Sequence, residues 1–90
     1  MGDQTLPPAA AIGTLDAYRE FIAETLAGAK IHAGVACTYA EIGNDAGLDY
    51  AIRCLVACTR TAVSTLSDLK AMKAEQASRR AAMREPADAL

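Results

Sequence analysis

Residues 43–47 read Gly-Asn-Asp-Ala-Gly (GNDAG), and this short stretch decides the fold. Glycine and asparagine tolerate the left-handed backbone that a helix C-terminus needs, and aspartate is suited to cap the N-terminus of the next helix. On both sides of it the apolar residues recur at helical spacing. Upstream the row runs Leu15, Tyr18, Ile22, then Leu26 or Ala29, and on through Ala33, Ala36, Tyr39 and Ala40 to Ile42. Downstream it runs Ile52, Leu55, Thr59, Ala62, Leu66 and Leu69, in steps of three and four, flanked by Val56 and Val63. Two helices joined by a five-residue turn make an αα-hairpin.

The ends of the helices follow from local chemistry. Thr14 is placed to cap the first helix, with Asp16 and Glu20 near its positive end. Pro7, Pro8 and Pro86 lie near the chain ends, so no proline interrupts the span between them. The pattern predicts helix one near 14–42 and helix two near 48–84. Gly28 and Gly34 each cost about 1 kcal/mol relative to alanine and admit a bend or break in helix one. Residues 1–13 (MGDQTLPPAAAIG) have no periodicity and are expected to form a flexible arm. Residues 14–84 are read as one α-helical domain and 85–90 as a disordered tail. No polar/apolar alternation of strand length occurs, so the fold class is all-α.

A thin core is expected. Of 90 residues, 21 are alanine and 20 are Val, Ile, Leu, Met or Phe, so the 52% hydrophobic content is rich in helix formers but poor in buriable area. Each helix of a lone hairpin buries only one side. Two hairpins supply the missing half, and a homodimeric four-helix bundle is the expected architecture. The stripe Leu55, Thr59, Ala62, Leu66 and Leu69 is assigned to self-association.

Charge is unevenly spread. Residues 1–49 carry seven acids (Asp3, Asp16, Glu20, Glu24, Glu41, Asp45, Asp49) against Arg19 and Lys30. Residues 50–90 carry seven bases (Arg53, Arg60, Lys70, Lys73, Arg79, Arg80, Arg84) against Asp68, Glu75, Glu85 and Asp88. Antiparallel helices of opposite charge attract one another. The net charge of −2 does not suit a protein that coats nucleic acid. No export signal or bilayer-length apolar run is visible, so the chain is expected in the cytoplasm with Cys37, Cys54 and Cys58 reduced.

Few residues could carry chemistry. Cys54 and Cys58 are one turn apart, and a hairpin folded at Asp45 brings His32 and Cys37 to similar levels. His32 and Cys37 are five apart, about 140° around a helix, so the four do not converge as zinc ligands. Packing roles are expected for the thiols, with no metal and no cofactor. Glu20 and Glu24 lack the E-x-x-H partner of a di-iron bundle. There is no phosphate loop, nucleophile elbow or H-E-x-x-H. Catalysis is not expected.

Thr38-Tyr39-Ala40-Glu41-Ile42-Gly43-Asn44-Asp45-Ala46-Gly47, followed by Tyr50-Ala51-Ile52-Arg53, resembles the helix-turn-helix segment of the alkylguanine-DNA alkyltransferase family. There a T-Y-x-x-I-A-x-x-x-G run precedes a recognition helix with an arginine. The resemblance covers about 16 of the 90 residues. It implies a DNA-binding regulator using Thr38–Arg53, with Arg53 near the base stack. The family's Pro-Cys-His-Arg motif is absent, so it does not imply alkyl transfer.

The pattern as a whole points to a non-catalytic protein–protein interaction module of inhibitor, adaptor or small-chaperone type. It would act by stoichiometric binding to another protein, with neither nucleic acid nor membrane as partner. The surface assigned to that partner combines Gly28 and Gly34 with Arg79, Arg80 and Arg84.

Overall fold

Thr14 starts the fold as its sequence position predicts. Its backbone is extended (φ −109, ψ 152), and its hydroxyl oxygen accepts a hydrogen bond from the Ala17 N–H at 3.0 Å. The computed structural model describes residues 14–89, in which α1 spans Leu15–Ile42 and α2 spans Asp45–Ala89. The expected arm at 1–13 and residue Leu90 lie outside the described residues. α2 continues to Ala89, past residue 84 where the sequence pattern ends the domain, and takes in Pro86.

α1 runs unbroken through Gly28 and Gly34, the two positions at which the sequence admits a bend or break. The left-handed backbone occurs among the described glycines only at Gly43. Gly28 is backed by α2, where an added Cβ would meet the Cys58 sulfur at 3.7 Å. Tertiary packing therefore offsets the low helix propensity of glycine at that position.

The turn is built as a helix stop followed at once by a helix start. Gly43 adopts φ 73 and ψ 25, and its N–H donates to the Ala40 carbonyl at 3.3 Å. The Asn44 N–H donates to the Tyr39 carbonyl at 2.9 Å, satisfying another carbonyl left free at the end of α1. The Asn44 side-chain oxygen then accepts from the Gly47 N–H at 2.9 Å, three residues on. Asn44, rather than Asp45, is the cap, and α2 begins at 45 rather than 48. Asp45 instead sits in the first turn, where the helix dipole favours a carboxylate.

The hairpin measures 71 × 29 × 13 Å. The long dimension is close to the length of α2, about 68 Å at 1.5 Å per residue. The short one is scarcely more than one helix diameter. The fold is thus one layer of two helices lying side by side, α1 packed along the first part of α2.

The seam between them follows two heptad rows. On α1, Leu15, Tyr18, Ile22, Thr25, Ala29, His32, Ala36 and Tyr39 are buried or half-buried. On α2 the matching row is Leu48, Ala51, Leu55, Cys58, Ala62, Thr65, Leu69, Met72 and Gln76. Its most buried members are small: Ala29, Ala36, Ala51 and Ala62, with Leu69 and Thr65. Thr65 is accommodated because its hydroxyl donates to the Thr61 carbonyl at 3.0 Å.

Candidate interaction surface

The sequence pattern predicts one apolar stripe on α2; the structure resolves two. Of the five residues assigned to self-association, Ala62 and Leu69 are buried against α1 and Leu55 is half-buried. Thr59 and Leu66 lie to one side of the seam and are exposed. The stripe read as one row therefore divides between an intrachain seam and an outer face. The seam holds alanines at its most buried points together with large residues such as Leu55 and Leu69, so size alone does not separate the two rows.

That outer face is itself a heptad row: Asp49, Ile52, Val56, Thr59, Val63, Leu66 and Lys70, in steps of three and four. Ile52 is 44% exposed, Val56 40%, Val63 62% and Leu66 41%. Helical geometry places these four along one side of α2 over about 21 Å, and the whole row from Asp49 to Lys70 over about 31 Å. Leu26, also exposed, directly follows the seam position Thr25 on α1, as Ile52 and Leu66 follow Ala51 and Thr65 on α2. A shallow, almost wholly apolar hollow lies on the middle of the row, lined by Leu55, Val56, Thr59, Arg60, Val63 and Ser64. Contiguous apolar surface of this kind, rimmed by charge, marks an interaction site more often than scattered single residues do.

The residues assigned to another partner are distributed differently. Gly28 is half-buried beneath Cys58, whereas Gly34 is exposed with nothing within 4 Å of an added Cβ. They do not form one open surface. Arg79, Arg80 and Arg84 are exposed on the part of α2 that extends beyond α1. Arg79 donates to Glu75 at 3.0 Å, which offsets part of the local positive charge.

Arg53 is exposed and forms an ion pair with Asp49 one turn earlier on the same helix. This neighbour raises the Arg53 pKa further, through the hydrogen bond first and the charge second. The segment Thr38–Arg53 forms the end of α1, the Gly43-Asn44 turn and the start of α2, with the two helices folded back on one another.

Cys37 is exposed; Cys54 and Cys58 are half-buried, and all three are unbridged. Among the described residues, no three His, Cys, Asp or Glu side chains converge to hold a metal ion. The Tyr50 phenol is held above its usual range by its hydrogen bond to Cys54 and, second, by the charge on that thiol when ionised. Among the described residues no helix is long and apolar enough to cross a membrane. No protein-family model, curated protein or solved structure matches the chain.

Proposed function

We propose that this chain is a non-catalytic protein–protein interaction module that acts by stoichiometric binding, its working form a four-helix bundle made from two hairpins. One observation carries the reading: a layer 13 Å thick leaves Leu26, Ile52, Val56, Val63 and Leu66 exposed. Stable domains pack at least two layers around a core, and this hairpin is one layer. A second hairpin across the outer face completes the structure. The α2 extension with Arg79, Arg80 and Arg84 stays outside the bundle and is the surface offered to an acidic protein partner. Three unbridged thiols suit a reducing compartment such as the cytoplasm.

The test is affinity capture of the tagged chain from its native host under nuclease treatment. It compares wild type with an Arg79→Glu, Arg80→Glu, Arg84→Glu variant. A polypeptide recovered in stoichiometric amount with the first and lost with the second is the expected result. Recovery that nuclease abolishes would overturn this reading in favour of nucleic-acid binding, and a partner unaffected by the reversal would remove the basic extension from it.

A further inference from the structure

We propose that the outer row of α2 docks against the same row of a second copy, antiparallel, with the two-fold axis at the level of Thr59 and Arg60. This rests on the bundle reading above and specifies which face joins the two hairpins. Pairing between identical faces about a two-fold axis requires a face that is complementary to itself. The row meets that condition. Asp49 and Lys70 lie equally far from its midpoint between residues 59 and 60, as do Val56 and Val63. Ile52 and Leu66 are centred on Thr59, half a residue from that midpoint, and so fall at nearly matching levels.

Antiparallel alignment therefore brings isoleucine to leucine, valine to valine and the acidic end to the basic end, twice over. A parallel alignment would set Asp49 beside Asp49 and Lys70 beside Lys70, and like charges at an interface select against that arrangement. The hollow, which Val56, Thr59 and Val63 of this row help to line, lies at the same level as the axis. Its lining residues run from Leu55 to Ser64, so each copy's valines meet the other's hollow. An unrelated partner would have no need of this symmetry.

Cysteine cross-linking reads the axis directly. In a background with Cys37→Ser, Cys54→Ala and Cys58→Ala, Thr59→Cys should give a disulfide-linked dimer on mild oxidation with diamide. Ile52→Cys and Leu66→Cys should each link poorly alone and efficiently when the two variants are mixed. Light scattering on the same samples separates the possible failures. A dimer in which Thr59→Cys does not link and the mixed pair does not link would overturn the proposed face while leaving the bundle intact. A monomer at tens of micromolar would remove the bundle reading itself.

A second measurement keeps the native cysteines. Because Asp49 also pairs with Arg53 of its own helix, the single variant is Lys70→Asp, which should raise the dimer dissociation constant several-fold, and adding Asp49→Lys should restore it. Failure of the double variant to recover would overturn the antiparallel alignment, as would an undiminished affinity in the single one.

Discussion

The ring of Tyr39 lies against the backbone of Gly47, so that a Cβ added at Gly47 would stand 2.6 Å from two of its ring carbons. Tyr39 is in the last turn of α1 and Gly47 in the first turn of α2, so this contact closes the hairpin beside its turn. Alanine at 47 would gain about 1 kcal/mol of helix propensity. Against that, overpacking typically costs 1–3 kcal/mol. Gly47→Ala is expected to lower stability by about 1 kcal/mol net in a denaturant titration. In a Tyr39→Ala background the same change should become neutral or stabilising, and equal losses in both backgrounds would refute the steric cause.

Gly34 and Gly28 should behave in the opposite sense. A Cβ at Gly34 meets nothing within 4 Å, and one at Gly28 makes an ordinary contact with the Cys58 sulfur. Each alanine substitution is expected to stabilise the fold by about 0.5–1 kcal/mol, partly by restricting the unfolded chain. Thermal melts followed by circular dichroism check this. A loss on Gly28→Ala would show that the helices sit closer there than the Cys58 contact indicates.

The two caps should be separable from the core. Thr14 and Asn44 each accept a backbone N–H three residues on, at 3.0 and 2.9 Å. Replacing either by alanine should cost about 1 kcal/mol. Asn44→Asp should retain most of the stability, because a carboxylate accepts the same bond and suits the helix dipole. A stability loss for Asn44→Asp as large as for Asn44→Ala would contradict the capping role.

Helix boundaries and the hairpin were legible because capping chemistry is local. Thr14 and Gly43 can be read from single residues and their neighbours, though Asn44 took the cap expected of Asp45. The face of α2 was not legible from spacing alone. Both rows on this helix step by three and four, and each carries large apolar residues, Leu48, Leu55, Leu69 and Met72 on the inner one and Ile52, Val56, Val63 and Leu66 on the outer. Bulk therefore favoured a stripe that mixed the two. The deciding influence is the fit between helices, where Ala29, Ala36, Ala51 and Ala62 are buried together with Leu69. The shift is small in sequence, one position from Ala51 to Ile52, yet it turns the side chain by about 100°.

Tyr50 offers a pH test of the Cys54 position. Its pKa is raised chiefly by the hydrogen bond to Cys54. A group whose folded pKa exceeds its unfolded value adds stability below the unfolded pKa and loses that contribution as pH rises through the folded one. Stability should thus decline above the ordinary tyrosine range, and ultraviolet titration should show Tyr50 ionising above that range. Cys54→Ala should return that tyrosine toward ordinary behaviour. An unchanged titration would place the cause elsewhere.

Leu66 and Leu69 are three residues apart on α2 and should report different events. Leu69 is 8% exposed in the seam with α1, whereas Leu66 is 41% exposed on the outer row. Leu69→Ala removes buried volume between the helices and should cost about 2–3 kcal/mol, near the lower end for leucine because the seam is only one layer deep. That loss should not depend on protein concentration. Leu66→Ala should cost little within one hairpin but weaken association, so its melting temperature should recover as concentration rises by linkage to the dimer. Leu66→Asp should act more strongly, since it would set an unpaired carboxylate against an apolar face of the second copy. Melts of the three variants across a hundredfold range of concentration distinguish these effects. If Leu66→Asp and Leu69→Ala gave the same concentration dependence, the two rows would be serving one interface, and the division of α2 into an inner and an outer face would fail.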